Sequence, residues 1–105
     1  MRRGDIYSLR LPKGRGHEQQ GKRFSVVVQS DAFLPRSVVL IAPTSTSARQ
    51  ASFRPEIDVE GTATKVLIEQ LGAVDVTRLG DLAGHLTPEQ QWGLDTAILT
   101  VLGLS

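Results

Sequence analysis

Residues 14–28 constrain the fold of this chain more than any other stretch. The first half is polar and holds three glycines within eight residues, a density that disfavours both helix and strand because glycine loses so much backbone freedom there. The second half turns apolar and β-branched at residues 26–28, which predicts a buried strand. A polar loop therefore runs directly into a rigid strand, with Lys22 and Arg23 at the joint. Functional residues often lie on loops held by a scaffold in this way.

Short apolar or alternating runs elsewhere predict further strands. We expect strands over residues 5–11, 23–29, 37–42, 53–60, 66–68 and 82–86, with a turn at 61–63 and a short helical turn at 75–79. The run at 53–60 has an acidic outer face, which is typical of an edge strand. Pro43 should mark the end of the third strand or a bulge, because proline cannot donate to a sheet ladder. Short strands in this number usually close into a barrel or a sandwich.

One helix is predicted at the end of the sequence. Thr87 is a natural N-cap, Pro88 suits the first helical position, and Gln90 completes a capping box. Gly103 should end the helix. Apolar side chains recur at helical spacing on one face: Leu94, Ala97, Ile98, Val101 and Leu102. Trp92, near the start, faces either the barrel or a partner.

The length of 105 residues predicts one domain, residues 1–105. There is no cysteine, which excludes a disulfide framework and a thiolate zinc site, and His17 and His85 do not form a metal-ligand pattern. We therefore expect neither a metal nor a cofactor. No apolar run approaches the roughly 20 residues of a membrane span, and no signal-peptide core follows the N-terminal arginines. The expected compartment is the cytoplasm.

The net charge of +1 hides an uneven distribution. Residues 1–23 carry seven basic and two acidic side chains, or +5, whereas residues 24–105 carry five basic and nine acidic, or −4, and the two sum to +1. A concentrated basic segment attracts phosphate by general electrostatics. It is equally compatible with a solvated edge that keeps the protein in solution.

Two groups of polar side chains allow both a structural and a chemical interpretation. The hydroxyl run at residues 44–47 follows a strand and could cap a turn or bind phosphate. Glu18 and Arg23 stand five residues apart on the loop, where they could form a surface ion pair or act together in catalysis.

Several segments in order resemble the MazF/PemK family of toxins from toxin–antitoxin modules. Residues 3–7 are similar to its opening strand, 16–23 to its G-x-E-Q-x-G-x-R loop, 39–45 to its apolar strand ending in P-[IT]-[ST], and 66–70 with 74–79 to its late strand and turn. The sequence departs from the family pattern at Phe24, where proline is usual. It departs again at Gly72, near which the family often has a basic residue.

The resemblance implies a mostly β fold, an SH3-like barrel with a C-terminal helix. It also implies a homodimer that cleaves single-stranded RNA selectively, and a partner antitoxin whose acidic tail occupies the RNA groove. Arg23 and Thr44 fall where the family keeps its principal catalytic residues, and Glu18 falls on a residue often linked to activity. We expect RNA contacts from Lys13, Arg15, His17, Gln19, Lys22 and Ser45.

RNA can cleave itself when its 2′-hydroxyl attacks the adjacent phosphorus, and an arginine can stabilise the extra negative charge on the phosphate. The general base remains open among Glu18, Arg23 and His17. A competing hypothesis is a non-enzymatic toxin of the same fold that acts by protein contact through the terminal helix, as gyrase poisons do. A third, a plain SH3-like peptide-binding module, is disfavoured by the aromatic content of 5%.

Overall fold

The computed structural model describes residues 1–10 and 23–104, and the account below refers to these residues. They form seven strands and one α-helix: β1 (Asp5–Leu9), β2 (Phe24–Val27), β3 (Val38–Ser45), β4 (Glu56–Val59), β5 (Thr62–Val66), β6 (Gly72–Asp75), β7 (Leu79–His85) and α1 (Pro88–Leu102). Short 3₁₀ turns lie at Asp31–Phe33, Ile68–Gln70 and Val76–Arg78. The predicted mostly β protein with a terminal helix is confirmed.

All the strands belong to one antiparallel sheet that curls on itself. The strand order is β4-β5-β3-β2-β1-β7, and β6 pairs with β3 beside this path. β1 therefore lies between β2 and the last strand of the chain, with irregular register along its pairing with β7. Such bulges increase local twist and bend strands. The result is a curled half-barrel with α1 packed against it, as the SH3-like prediction required.

The longest strand, β3, changes its partner midway. One side pairs with β2 at residues 41–43, whereas the other pairs first with β6 up to Ile41 and then with β5 from Thr44. Pro43 lies at this change, inside β3 and in unbroken register with Ser25 of β2, so neither the predicted strand end nor its alternative, a bulge, is found there. Its carbonyl accepts a hydrogen bond from the Leu67 N–H at 2.8 Å, and its missing N–H would point to the same side, so no bond to β2 is lost.

The hydrophobic core lies on both faces of β2. Val26 and Val27 are both fully buried and, being consecutive in a strand, point to opposite faces. Val26 belongs to the larger cluster, which includes Leu94 of α1, and Val27 belongs to a smaller cluster with Val39 and Leu79. The predicted buried strand is confirmed, and it gives the residues at its start a rigid support.

The terminal helix begins and ends as predicted. The Thr87 hydroxyl accepts from the Gln90 N–H at 3.1 Å, the Gln90 side chain accepts from the Thr87 N–H at 2.8 Å, and Gly103 caps the C-terminus in the left-handed conformation. Leu94 and Ala97 are buried, but Leu102 is 53% exposed, so its assignment to the buried face is wrong. At 3.6 residues per turn, Leu102 lies about 80° around the helix from Leu94.

The hairpin between β4 and β5 differs from the sequence prediction. Its turn is the pair Glu60-Gly61, with φ of 53° and 82°, so β5 already begins at Thr62 rather than at residue 66. The predicted edge strand is confirmed, because β4 ends the sheet with Ile57 and Val59 buried and its acidic residues exposed. None of the described helices is long and apolar enough to cross a membrane.

The N-terminal segment is tied to the terminal helix. The guanidinium of Arg3 forms an ion pair with Asp95 at 2.8 Å, and the Gln91 amide donates to the Arg3 carbonyl at 3.1 Å. Gly4 follows with a φ of 92°, and its N–H donates to the Val27 carbonyl at 2.8 Å. The beginning and the end of the sequence are therefore joined by polar contacts.

A buried carboxylate joins β1 to β7. Asp5 accepts hydrogen bonds from the His85 ring Nδ1 at 2.8 Å and from the Arg2 N–H at 2.8 Å. Burial acts to raise the pKa of Asp5, but the hydrogen bonds from His85 and from the Arg2 backbone outweigh burial, and the pKa lies below its ordinary value.

Candidate functional site

A groove of about 420 Å³ opens where β3 ends beside the first residues of β2 and β5. Hydroxyl side chains dominate its lining: Thr44, Ser45, Thr46, Ser47, Thr62 and Thr64. Arg23, Phe24, Val59 and Glu60 complete it. A wall of neutral donors and acceptors with an arginine at its rim suits a ligand that carries many oxygen atoms and negative charge.

Strand pairing brings Arg23 and Thr44 to the same groove. Ser25 lies opposite Pro43 in the antiparallel β2–β3 ladder. Extending this register by one and two residues places Phe24 opposite Thr44 and Arg23 opposite Ser45. Both of the predicted principal residues therefore stand at one end of the ladder although 20 residues of chain separate them.

The backbone of Arg23 is fixed while its side chain is open to solvent. The Arg23 carbonyl accepts a hydrogen bond from the Leu9 N–H at 2.9 Å, which anchors the residue to the end of β1. The next residue, Phe24, packs against the larger core cluster. Within residues 1–10 and 23–104, no ion pair engages the Arg23 guanidinium, so its charge is available to an anion in the groove.

The Thr44 hydroxyl is buried and already bonded. Thr44 is 2% exposed, and its Oγ1 donates to the Phe24 carbonyl at 3.2 Å. A hydroxyl has one hydrogen to donate, so in this arrangement Thr44 can receive a bond from a ligand but must rotate away from Phe24 to donate one. The contact also holds the backbone of Phe24, the residue that follows Arg23.

The rest of the hydroxyl run forms a turn at the mouth of the groove. The Ser45 Oγ accepts from the Ser47 N–H at 3.3 Å and lies 3.3 Å from the Ser47 Oγ. This is the Ser/Thr turn that the sequence allowed. Ser45, a predicted RNA contact, is thus fixed beside Arg23, because the turn holds its side chain.

The loop beyond this turn is anchored by Arg54. Its Nε and Nη2 atoms donate to one oxygen of Glu69 at 2.9 and 2.6 Å, and its Nη1 atom donates to the Arg49 carbonyl at 3.0 Å. The hydrogen bonds from Arg54 hold the pKa of the Glu69 carboxyl below its ordinary value. The chain between β3 and β4 is therefore attached to the 3₁₀ turn that follows β5.

Thr64 lines the same groove and was not predicted. It is 3% exposed, and across the described part of the chain its hydroxyl has no hydrogen-bond partner. The missed signal is the period-two alternation of Thr62, Thr64 and Val66 after Gly61, which becomes visible only when the turn is placed at residues 60–61.

The other predicted site residues lie outside the described part of the chain: Lys13, Arg15, His17, Glu18, Gln19 and Lys22. Of the predicted residues, the groove thus brings together Arg23, Thr44 and Ser45. Among the residues that the structure describes, no group of three His, Asp or Glu side chains is placed to hold a metal ion.

Comparison with known proteins identifies relatives that are all toxins of one kind. Residues 2–102 match the family model of the PemK-like, MazF-like toxins of type II toxin–antitoxin systems. The chain is similar to a candidate toxin of Mycobacterium tuberculosis, Rv3098A, at 40% identity over 104 residues, with 97% of each protein covered. It is also similar to the Endoribonuclease MazF of Staphylococcus saprophyticus, at 30% identity over 111 residues, with 99% of this chain and 92% of that protein covered.

A solved structure shares the fold. It is an endoribonuclease in complex with its cognate antitoxin from Mycobacterial species, which aligns with a TM-score of 0.80 at 22% identity and with 100% of this chain and 97% of that chain covered. This likeness confirms the predicted mostly β, SH3-like fold with a C-terminal helix.

Proposed function

The chain belongs to the PemK-like, MazF-like toxin family of type II toxin–antitoxin systems, and from this premise we propose that it is an endoribonuclease that cleaves single-stranded RNA at selected sequences. The name of the staphylococcal relative supports this activity. The observation that carries the proposal is the exposed Arg23 guanidinium, anchored through its backbone beside Thr44 in one groove.

The proposed reaction needs no external nucleophile. The 2′-oxygen of the RNA attacks the adjacent phosphorus as its proton passes to a base, and the bond from phosphorus to the 5′-oxygen breaks as that oxygen gains a proton. The products are a 2′,3′-cyclic phosphate and a 5′-hydroxyl end. Because the nucleophile is part of the substrate, the protein has to align the groups and stabilise charge, and we propose that it does so without a metal.

Arg23 has the central role in this proposal. A guanidinium is permanently charged and can bind two oxygens of one phosphate, so it stabilises the negative charge that develops on the phosphorane. Thr44 would contact the same phosphate through its hydroxyl after rotating from the Phe24 carbonyl, or receive a bond from the 2′-hydroxyl in its present orientation. Both residues belong to the lining of one groove.

The remaining roles rest on the family resemblance. We propose Glu18 as the general base, because a carboxylate accepts a proton far more readily than an arginine does. The loop residues Lys13, Arg15, His17, Gln19 and Lys22, with Ser45, would then contact the RNA. Their excess of positive charge matches a phosphate backbone.

The proposed partners follow from the family and from the surface. The solved relative is bound to its cognate antitoxin, and we propose that an antitoxin with an acidic tail competes with RNA for the groove here. Val38 and Leu40 on β3 and Leu82 on β7 are exposed apolar side chains, which a second copy in a homodimer would cover. The proposed place of action is the cytoplasm, where the protein would meet both the proposed RNA substrate and the proposed antitoxin.

The proposal is tested by mapping the ends of RNA treated with purified protein in EDTA. We expect new 5′-hydroxyl ends at a defined sequence, and no cleavage when the scissile nucleotide lacks its 2′-hydroxyl. Arg23→Ala should lower the cleavage rate by about 10²–10³-fold, the usual effect of removing one electrostatic contact to a transition state. Arg23→Lys is the matched control for charge, and it should restore only part of the rate because an ammonium cannot bind two oxygens in one plane.

Two results would defeat this mechanism. The first is cleavage of the deoxy-substituted substrate at the normal rate. The second is an Arg23→Ala protein that folds normally and cleaves as fast as the unmodified protein.

One observation favours a second candidate, a toxin that acts by protein contact. Trp92 is 76% exposed on α1, and Leu99 and Leu102 are exposed on the same side of the helix. At roughly 100° per residue, each of these three side chains lies at least 80° around the helix axis from buried Leu94. Growth arrest by the Arg23→Ala protein separates the two candidates. Arrest at full strength would point to contact through the helix rather than to RNA cleavage.

A further inference from the structure

The hydroxyl of Thr64 has no partner in the described structure although the side chain is buried. Thr64 is 3% exposed, and its Oγ1 lies out of solvent without a hydrogen bond to any described residue. Buried hydroxyls in folded proteins nearly always have a partner, because losing water without replacement costs free energy. A threonine in this condition at the wall of a groove indicates that a ligand supplies the missing bond.

The sheet register places Thr64 beside Thr44. Thr44 lies opposite Val66 in the β3–β5 ladder, so the two side chains share one face of the sheet. Thr64 precedes Val66 by two residues and therefore points to that same face. Diagonal neighbours of this kind lie about 7–8 Å apart. The hydroxyl is thus one strand away from Thr44, within the span of a single nucleotide.

Thr64 and Thr44 differ in how their hydroxyls are used. The Thr44 hydroxyl bonds to the Phe24 carbonyl and so stabilises the free protein. The Thr64 hydroxyl stabilises nothing among the described residues, and valine would fill the same space between Ile57 and the groove. A purely structural role therefore gives no reason for a hydroxyl at this position.

We propose that Thr64 is an RNA-binding residue whose hydroxyl forms a hydrogen bond with a phosphate or ribose oxygen of the RNA backbone; this inference rests on the proposed endoribonuclease function. The described lining favours the RNA backbone over a base, because among these residues Phe24 is the one aromatic side chain and it is half-buried against the core, so they present no open ring on which a base could stack. Hydroxyl side chains commonly bind the sugar–phosphate backbone and fix its position.

The test uses Thr64→Val, which removes the hydroxyl and keeps the shape. The ligand is an RNA with a 2′-deoxy substitution at the scissile nucleotide, mapped beforehand, so that it binds without being cut. We expect the dissociation constant to rise about tenfold, the weight of one hydrogen bond, and kcat/KM on the cleavable RNA to fall equally. The melting temperature should stay the same or rise, since valine removes an unsatisfied polar group.

Two further variants serve as controls. Thr64→Ser keeps the hydroxyl and should bind this RNA within about twofold of the unmodified protein, because a shorter side chain can still reach the same oxygen. Thr96→Val makes the same chemical change at an exposed position on α1, outside the groove lining, and should leave RNA binding unchanged. A ligand with deoxyribose throughout tells the two oxygens apart. If the effect of Thr64→Val persists on it, the contact is to phosphate, and if the effect vanishes, the contact is to a ribose hydroxyl.

The inference is overturned if Thr64→Val binds and cleaves RNA like the unmodified protein, or if its melting temperature falls while Thr64→Ser loses binding equally. Either result would make Thr64 a core residue only, and the proposed function would stand unharmed provided that the unmodified protein cleaves RNA. If the unmodified protein neither binds nor cleaves RNA, the proposed function fails, and the role of Thr64 fails with it.

Discussion

Replacing Thr44 by valine should destabilise the protein, and the structure gives the size of the effect. Thr44 is almost fully buried, and its hydroxyl donates to the Phe24 carbonyl at 3.2 Å. Valine has the same shape as threonine but no hydroxyl, so the substitution removes this hydrogen bond and leaves the Phe24 carbonyl without the Thr44 donor. Such a loss costs about 1–2 kcal/mol. For a protein of this length, that corresponds to a fall in melting temperature of roughly 4–15 °C.

The measurement is thermal unfolding followed by circular dichroism, together with urea titration of the same samples. Thr44→Ser is the matched control, because it keeps the hydroxyl and loses one buried methyl group, at a cost of about 1 kcal/mol. Cleavage is measured at a temperature at which every variant is folded, so that loss of activity is separated from loss of structure. We expect Thr44→Val to be strongly impaired and Thr44→Ser to retain most of the activity.

The reasoning is refuted if Thr44→Val melts at the temperature of the unmodified protein, since the hydroxyl would then contribute nothing to the fold. A lower melting temperature with full activity would leave Thr44 a structural residue and remove it from the proposed mechanism. The comparison with Thr64→Val makes the test stricter. The same chemical change on neighbouring strands should lower stability at Thr44 and preserve or raise it at Thr64, because of these two hydroxyls only that of Thr44 has a partner among the described residues.

Two further predictions concern the start of the chain. The pKa of Asp5 is lowered on folding, so the Asp5 carboxylate contributes its full share of stability above its ordinary pKa of 3.8. That contribution is lost as the pH falls through the lower pKa of the folded protein. Asp5→Asn should therefore be less stable than the unmodified protein at neutral pH and should lose less stability on acidification. Gly4 has a φ of 92° and a Cβ there would meet the Gln91 side chain, so Gly4→Ala should cost about 1–3 kcal/mol in urea titration.

Each of these has a result that contradicts it. If Asp5→Asn and the unmodified protein lose stability in parallel between pH 7 and pH 2, the Asp5 carboxylate is not the group responsible. Gly61→Ala is the control for Gly4→Ala, because its φ of 82° is similar but no atom lies within 4 Å of the added methyl group. Equal losses of unfolding free energy in Gly4→Ala and Gly61→Ala would mean that contact with the Gln91 side chain adds nothing to the cost of the backbone strain.

The parts of the fold that follow from local sequence were predicted well. The capping box at Thr87 and the helix that follows it depend on residues within a few positions of one another. The buried strand β2 contains an unbroken β-branched run, a pattern that strongly favours a strand over a helix or a loop. By contrast, β6 was missed because its four residues are half-buried or exposed and its pairing with β3 spans more than 30 residues of chain. Local pattern carries no information about such a pairing.

The candidate site shows the same division. That Arg23 and Thr44 belong together was inferred from resemblance to a family, since no local spacing relates two residues this far apart in sequence. The β2–β3 register supplies the physical reason, because it sets one almost opposite the other. Thr64 could not be found in this way, because the turn before β5 was placed too late. Because the turn before β5 is predicted a few residues too late, the sequence does not identify the buried Thr64 hydroxyl.

The connection between the two ends of the sequence has a consequence for how the protein is made. β1 is completed on one side by β7, and its Ile6 shares a core cluster with Leu94 and Ala97 of α1. No fragment that stops before residue 79 can therefore cover the first strand. During translation β1 therefore lacks its second neighbour until β7 has been synthesised, so the curled sheet cannot be completed before residues 79–85 have left the ribosome.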